Sequence, residues 1–254
     1  MATVHDIFSC LCELAPLELQ MSFDNSGFLV GRGEREVHRA LLSLDIVPDV
    51  IQEAADLGAE LIISHHPLIF KPLKALTAGG EGEKALRMAE LGISAICMHT
   101  DLDIAEGGVN DVLIRLLGAE PLEALDSEGC GRIGELPEPM DLAAFLTLCK
   151  KRLQAPGLRY VASGRPVWRL AVMGGAGGDA LACAIAKGCD TYVTADVKYH
   201  VFLEAAEQKI TLIDAGHFCT EQPVIPDLAR RLRSRFPDVT FSVSQRHGPI
   251  VSFF

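Results

Sequence analysis

The stretch Leu61-Ile62-Ile63-Ser64-His65-His66-Pro67 decides the predicted fold. Three aliphatic residues and a serine are typical of a short strand that is buried on both faces. The two histidines that follow are therefore expected where the strand meets solvent. Because Pro67 disfavours a helical backbone at His66, we expect an extended chain there, with the two imidazole rings diverging. The alternative is a pair of ordinary loop histidines.

Similar apolar runs recur along the chain, and segments of helical period lie between them. Strands are predicted at Ala40–Ile46, Glu60–Ser64, Ser94–Met98, Trp168–Met173, Thr191–Thr194 and Thr211–Asp214. Helices are predicted at Val47–Leu57, Gly82–Leu91, Val109–Leu117, Asp141–Leu153, Asp179–Lys187, Tyr199–Glu207 and Pro226–Phe236. This alternation predicts an α/β protein with mostly parallel sheets covered by helices. Ligand sites in such sheets gather beyond the carboxyl ends of the strands.

Two lobes are predicted from a change in composition. The stretch Pro121–Pro139 is rich in Pro, Gly, Asp and Glu and has little periodicity, so it is expected to join the lobes. The run Val239–Gln245 alternates as a strand does and is expected to return to the first lobe. We therefore predict a first lobe from residues 1–126 and 222–254, and a second from residues 127–221.

A second strand end carries further metal-ligating residue types. The apolar run Ser94–Met98 leads into His99, Asp101 and Asp103. If the two strands are neighbours in a parallel sheet, these side chains lie beside His65 and His66. The two aspartates would face one side in an extended chain. One of them could ligate a metal while the other orients a histidine through its free ring nitrogen.

A third strand end adds a histidine and a glutamate. The run Ile210–Asp214 is followed by Gly216, His217 and Glu221. Residues four apart share a helix face, so His217 and Glu221 are expected to lie together. The alternative is a surface pair. Cys219 lies between them, but imidazole and carboxylate already fill the apparent ligand set, so we expect no metal contact from its thiol.

The three strand ends together predict a metal site. They supply more ligands than one tetrahedral structural zinc requires, and they suit two ions that share a carboxylate. A nitrogen and oxygen set without thiolate favours zinc, manganese, iron, cobalt or nickel.

Composition and charge exclude several classes of function. The formal net charge is −11, which argues against a dedicated nucleic-acid binder. Although 49% of residues are hydrophobic, the chain has no apolar run of membrane-spanning length. Ile7, Phe8, Leu11 and Leu14 recur at helical spacing, which indicates a surface helix rather than a signal peptide. We therefore expect a cytoplasmic protein with no membrane partner, whose cysteines are mostly small buried hydrophobes.

Five ordered blocks resemble the Nif-three-like dinuclear metal-centre family, often labelled GTP cyclohydrolase I type 2. The blocks are Ser22–Gly27, Ile63–Phe70, His99–Asp103, Thr194–His200 and Gly216–Glu221. The resemblance spans nearly the whole chain. It implies a Nif-three-like fold of two interlinked lobes of mixed, mostly parallel sheet, with a dinuclear metal site in the cleft between them. It also implies a homo-oligomer, such as a hexameric ring of dimers.

The resemblance assigns residues as well. It implies that two divalent ions are held by His65, His66, Asp103, His217 and Glu221. It further implies that His99 and His200 face the metal cavity. Two positions depart from the family pattern: Asp101 stands where Asn is common, and Phe218 stands where Tyr is frequent. Neither departure touches the five expected ligands.

Three weaker segments leave alternatives open. Gly174, Gly175 and Gly177 follow a strand and could cradle a phosphate of a substrate or cofactor on backbone amides; the alternative is a tight turn. Asp196 and His200, with His99, are candidate catalytic acid/base residues; the alternative for Asp196 and His200 is a helix cap with a satisfied histidine. Asp24 and Asn25 are expected to organise a turn ahead of Gly27 rather than to bind substrate.

These expectations lead to two hypotheses of different class. The first is a dinuclear metal-dependent hydrolase acting on a small molecule, with a nucleotide or phosphoester as the expected substrate class. The cyclohydrolase label implies opening of the guanine imidazole ring of GTP. The second is a non-catalytic metal-handling or protein-interaction scaffold with a structural or regulatory dinuclear site.

Overall fold

The predicted strands lie in two mixed β-sheets flanked by helices in the computed structural model of the chain. The structure describes residues 2–80 and 82–253. The predicted α/β class is confirmed. Each sheet belongs to one of two compact units, the first formed by Met1–Glu106 with Ile225–Gly248 and the second by Gly107–Val224 with Pro249–Phe254.

Where a strand or helix was predicted with bounds, the observed bounds lie within three residues of the predicted ones. Across the described ranges, the strands are β1 (Gly27–Val30), β2 (Arg39–Ser43), β3 (Leu61–Ser64), β4 (Ser94–Cys97), β5 (Glu120–Ala124), β6 (Arg132–Met140), β7 (Arg159–Val161), β8 (Val167–Val172), β9 (Thr191–Thr194), β10 (Thr211–Asp214) and β11 (Thr240–Val243). The α-helices are α1 (Val4–Leu14), α2 (Pro48–Leu57), α3 (Glu83–Leu91), α4 (Thr100–Ile104), α5 (Val109–Leu116), α6 (Leu142–Arg152), α7 (Leu181–Ala186), α8 (Tyr199–Glu207), α9 (His217–Glu221) and α10 (Val224–Arg235). Of these elements, β1, β5, β6 and β7 were not predicted as strands.

The first unit has the sheet order β1-β4-β3-β2-β11, in which only the β1–β4 pairing is antiparallel. Strand β3 lies between β2 and β4, and all four of its residues are buried. The register aligns Ser64 with both Ser43 and Cys97. Strands β2, β3 and β4 therefore end at the same edge, so the residues that follow them are brought together. The return of the chain to this unit as β11 is confirmed by its pairing with β2.

The second unit has the sheet order β5-β6-β8-β9-β10-β7. The central strands β8, β9 and β10 are parallel, and the pairings of β5, β6 and β7 are antiparallel. Asp214 is in register with Thr194, so β9 and β10 also end together. Phe145 and Cys149 of α6 pack on one face of the sheet, and Tyr192 contributes to a second core cluster.

The linker predicted at Pro121–Pro139 is wrong. This stretch contains most of β5 and β6, which pair antiparallel in the second sheet. Its prolines argued against strands, because proline lacks the N–H that hydrogen bonding within the middle of a sheet requires. The structure places Pro137 and Pro139 inside an irregularity of the β6–β8 register, between Glu135 and Met140, where proline is tolerated.

The boundary between the units also differs from the predicted one. It falls after Glu106 instead of residue 126, because Leu113 and Ile114 of α5 belong to a core cluster of the second unit. Residues 222–224 and the segment after Gly248 belong to the second unit as well.

The predictions made from composition concern membrane-spanning helices and cysteines. Within residues 2–80 and 82–253, no helix combines the length and apolar character needed to span a bilayer. All eight cysteines lie in the described ranges as thiols, and six of them are buried, which matches their predicted role as small hydrophobes.

Candidate metal centre

Three imidazole rings meet at the strand-end edge of the first unit. His65, His66 and His99 each offer a ring nitrogen within 4.8 Å of the others. Their ring centroids are 4.9 Å apart for His65 and His66, 5.2 Å for His65 and His99, and 5.4 Å for His66 and His99. The rings of His65 and His66 were expected to diverge. They are instead tilted by 47° and remain in contact distance, so both point to one region.

His65 is the most enclosed of these rings, with no exposed surface. Its Nδ1 lies 2.8 Å from the carbonyl oxygen of Met98, which can only accept a hydrogen bond. Nδ1 therefore carries the proton, and the Nε2 lone pair is directed elsewhere. Nε2 lies 3.6 Å from Oδ1 of Asp103. The arrangement presents one nitrogen and one carboxylate oxygen to the same small space.

His66 is oriented by an aspartate that follows β2. Its Nδ1 lies 2.8 Å from Oδ1 of Asp45, and its backbone N–H donates to the carbonyl oxygen of Leu44. Burial acts to raise the pKa of Asp45, but hydrogen bonds and the nearby imidazoles of His66 and His247 outweigh it and lower the pKa to about 2. Asp45 is therefore an anion near neutral pH and fixes His66 as the Nδ1–H tautomer.

His99 is oriented in the same way by Asp24. Its Nδ1 lies 2.7 Å from Oδ1 of Asp24, whose Oδ2 accepts the backbone N–H of Thr100. Burial acts to raise the pKa of Asp24, but the bonds from His99 and Thr100 hold it well below its usual range. The chain does turn ahead of Gly27, where the backbone N–H of Asp24 donates to the carbonyl oxygen of Met21, and the carboxylate of Asp24 also orients a histidine.

Asp101 and Asp103 do not share a face as an extended chain would require. They lie in the short helix α4, where residues two apart point in different directions. Asp103 approaches His65, whereas the fully buried Asp101 accepts the hydroxyl of Ser26 at 2.6 Å. Burial raises the pKa of Asp101, an effect that its hydrogen bonds reduce but do not cancel. Asp103 is thus the aspartate placed for ligation.

The second unit presents a separate histidine–carboxylate pair on α9. His217 begins this one-turn helix and Glu221 ends it, so the predicted i,i+4 approach is present. Nδ1 of His217 lies 2.8 Å from Oδ2 of Asp196, and Nε2 lies 3.0 Å from Oε2 of Glu221. Both nitrogens therefore face carboxylates. If Nδ1 carries the proton, the Nε2 lone pair faces a buried carboxylate, and only a proton or a cation between them makes that contact favourable.

The glycine loop supports this pair and does not form a phosphate cradle. The amides of Gly174, Gly175 and Gly177 donate to the side chains of Asn110, Thr220 and Thr194, respectively. Because these amides are already used, the structure favours the tight-turn interpretation. A side chain at Gly175 would place its Cβ 2.1 Å from Oε1 of Glu221 and 3.1 Å from Nε2 of His217. Position 175 is therefore glycine because the carboxylate and imidazole lie against it.

Asp196 and His200 have different surroundings. Asp196 follows β9 with a φ of 51°, a left-handed conformation that is uncommon outside glycine, and it holds His217. His200 lies exposed on α8. None of the candidate metal-ligand groups found among the described residues includes His200. The placement of His200 beside the metal ligands therefore remains a prediction.

A cavity of about 490 Å³ opens beside the α9 pair within the second unit. Asp196 and His217 line it together with apolar side chains that include Phe218 and Phe253. This volume and lining are in the range of small-molecule sites in proteins.

Comparison with known proteins identifies the family of the chain. The family model of DUF34/NIF3 (NGG1p interacting factor 3) matches residues 2–249. The chain belongs to the DUF34/NIF3 family. It is 34% identical over 251 residues to a Clostridium perfringens protein named GTP cyclohydrolase 1 type 2 homolog, covering 95% of this chain and 96% of the relative.

Solved structures share the whole fold of this DUF34/NIF3 chain. A Bacillus cereus protein related to NIF3 superposes with a TM-score of 0.94 at 25% identity, covering 100% of this chain and 99% of that one. A Staphylococcus aureus hypothetical protein gives a TM-score of 0.92 at 27% identity, with 99% of each chain covered. The resemblance inferred from the five sequence blocks is thereby confirmed.

Four candidate-site histidines of the DUF34/NIF3 chain are hydrogen-bonded through the same ring nitrogen. In His65, His66, His99 and His217, Nδ1 meets an oxygen acceptor. Three of those acceptors are aspartates, and the fourth is a backbone carbonyl. This tautomer leaves Nε2 as the ring nitrogen that could bind a metal or accept a proton, which is the arrangement found for histidines around protein-bound metals.

Sequence reasoning missed the orienting role of Asp45 and Asp24. Asp45 stands two residues past the end of β2, the same position relative to a strand that marked the other candidates, but it had no histidine beside it in sequence. Its partner His66 follows the neighbouring strand β3, and that adjacency comes from the strand order. A search for carboxylates beyond every predicted strand end would have found it.

Proposed function

We propose that this chain is a divalent-metal-dependent hydrolase that holds two ions with His65, His66, Asp103, His217 and Glu221. The observation that carries the proposal is His217, whose two ring nitrogens face carboxylates at 2.8 and 3.0 Å. A cation at Nε2 satisfies both the imidazole lone pair and Glu221. The converging nitrogens of His65, His66 and His99 support the same conclusion for the first unit.

The donor set fits the proposed ions. Imidazole nitrogen and carboxylate oxygen are ligands for zinc, manganese, iron, cobalt and nickel, and thiolate is absent from the proposed set. The Cys219 thiol between the α9 ligands is buried, and burial raises its pKa, so it stays protonated near neutral pH. We propose no metal contact from this thiol, because imidazole and carboxylate already fill the ligand set.

The chain's own residues have separate roles in the proposed hydrolysis. When bound, divalent ions supply Lewis acidity and make water a better nucleophile near neutral pH. Asp24 holds the His99 ring at Nδ1, which leaves Nε2 to accept or return a proton. Asp196 holds the His217 ring in the same way, so it acts as a positioning residue. We keep His200 as a candidate proton carrier on the strength of the family resemblance alone.

The proposed substrate is a small molecule of the nucleotide or phosphoester class. The cavity beside His217 is large enough for such a ligand. Curated relatives carry the name GTP cyclohydrolase 1 type 2 homolog, which makes GTP the first compound to assay. We also propose that the protein is cytoplasmic and forms a homo-oligomer such as a hexameric ring, which light scattering coupled to gel filtration would test.

The test of the proposed function is turnover with and without metal. Full-length protein loaded separately with Zn²⁺, Mn²⁺, Fe²⁺, Co²⁺ or Ni²⁺ is assayed on GTP, other nucleotides and phosphodiesters. We expect metal-dependent turnover that is abolished by chelation and by His217→Ala. His38→Ala serves as the matched control, because His38 is an exposed imidazole at the opposite end of β2.

Two outcomes would contradict the proposal. Turnover that survives complete metal removal would exclude a metal-dependent hydrolase. Bound metal without turnover on any of these substrates would favour the alternative, a non-catalytic metal-handling or interaction scaffold.

A further inference from the structure

The segment that follows β11 is held against α2 by one buried carboxylate. Glu53 of α2 is only 7% exposed and accepts the hydroxyl of Ser244 and the backbone N–H groups of Gln245 and Arg246. These N–H distances are 2.9 and 3.2 Å. Because one side chain binds three successive residues, the path of the chain up to His247 is fixed.

This path places His247 beside Asp45, the aspartate that orients His66. Nε2 of His247 lies 2.8 Å from Oδ2 of Asp45, and Oδ1 of the same carboxylate lies 2.8 Å from Nδ1 of His66. The His247 side chain is 8% exposed, whereas that of Asp45 is 37% exposed. A carboxylate with this much exposure to solvent can rotate unless both of its oxygens have hydrogen-bond partners. His66 is the partner of the first oxygen, and His247 is the partner of the second.

We propose that His247 is a positioning residue for the metal ligand His66 and acts through Asp45. This inference rests on the proposed function, because it requires His66 to ligate a metal. Residues close to the end of the chain therefore set the geometry of a ligand that lies 181 positions earlier in sequence. Outer hydrogen-bond partners of this kind orient the ligand ring and raise its basicity.

The physical consequence concerns metal affinity more than folding. Loss of His247 leaves the hydrogen bond between Asp45 and His66 possible, but the carboxylate can then turn toward water. The His66 ring then samples orientations that do not bind metal, and that freedom is lost again on binding. Metal-free protein does not bear this cost, so its stability should change much less than its affinity.

The experiment measures Zn²⁺ affinity by chelator competition on the full-length protein. Four variants are compared with wild type: Asp45→Asn, His247→Ala, His247→Gln and His38→Ala. We expect Asp45→Asn to weaken binding about 10- to 100-fold, and His247→Ala to weaken it about 10-fold. His247→Gln should recover most of the affinity, since the glutamine amide keeps an N–H donor near the position of Nε2. His38→Ala should bind as wild type does.

The outcomes separate this inference from the proposed function. If wild type binds Zn²⁺ and His247→Ala binds it equally well, the positioning role is overturned while the metal centre stands. An equal loss in His247→Gln and His247→Ala would also overturn it, because the retained donor would then have no effect. If wild type binds no Zn²⁺, both proposals fall. Urea unfolding of the metal-free variants identifies any loss that is due to misfolding alone.

Discussion

Single side chains decide how the candidate ligands are presented. Asp45, Asp24 and Asp196 each hold a histidine ring at Nδ1, at 2.7 to 2.8 Å. The energetic value of such a bond lies mainly in the selection of one tautomer and one ring orientation. Residue identity matters equally where a side chain is absent, as at Gly175. That glycine has a φ of 64° and lies against Glu221 and His217.

A Gly175→Ala substitution should lower metal affinity by more than its backbone strain explains. The new Cβ would overlap Oε1 of Glu221, so the carboxylate must move. Gly188→Ala is the matched control, because Gly188 has a similar φ of 72° with no atom within 4 Å of the added Cβ. Both variants should lose about 1–2 kcal/mol of unfolding free energy from the left-handed backbone. Zn²⁺ competition should show weaker binding only in Gly175→Ala, and equal affinities in the two variants would contradict the role of Glu221 as a metal ligand.

At the scale of elements, the ends of parallel strands could be predicted from the sequence. The runs that end before His65, His99 and His217 are β3, β4 and β10, with bounds within two residues of those predicted. The partners of those histidines could not be predicted in the same way. Asp45 meets His66 because β2 neighbours β3, and Asp196 meets His217 because β9 neighbours β10. Strand order is a property of distant contacts, which local periodicity does not encode.

The contact between α2 and the segment after β11 gives a pH-dependent prediction. Burial acts to raise the pKa of Glu53, but the bonds from Ser244, Gln245 and Arg246 outweigh it and hold the pKa below its usual value. A lowered folded-state pKa contributes stability above the unfolded-state pKa of about 4.3, and this contribution is lost as the pH falls through the folded-state value.

Glu53→Gln should therefore cost about 1–3 kcal/mol of unfolding free energy at pH 7, since a buried acceptor is lost and an amide donor faces other donors. The difference from wild type should shrink below about pH 4. Urea unfolding at several pH values measures it. The control is Glu90→Gln, the same substitution at a surface ion pair with Arg87. A Glu53 effect that does not change with pH would contradict the assigned cause.

At the scale of the whole molecule, the chain crosses between its units more than once. It leaves the first unit after Glu106, returns at Ile225, and leaves again after Gly248. The return was predictable from the strand pattern of β11. The boundary at Glu106 was not predictable. Helix α5 packs in the second unit, and the strands β5 and β6 of that unit were not recognised in the sequence because they contain prolines. The assignment of the last residues to the second unit could not be predicted either, since it depends on the packing of Phe253 on Gly157, which is distant in sequence.

The proposed metal centre requires five residues from distant parts of the sequence to hold two divalent ions. Plasma mass spectrometry of full-length protein, reconstituted with Zn²⁺ and freed of unbound metal by gel filtration, counts the ions directly. We expect two ions per chain in wild type, and a lower count in His65→Ala and in Glu221→Ala. A folded wild-type chain that retains no ion would contradict this proposal.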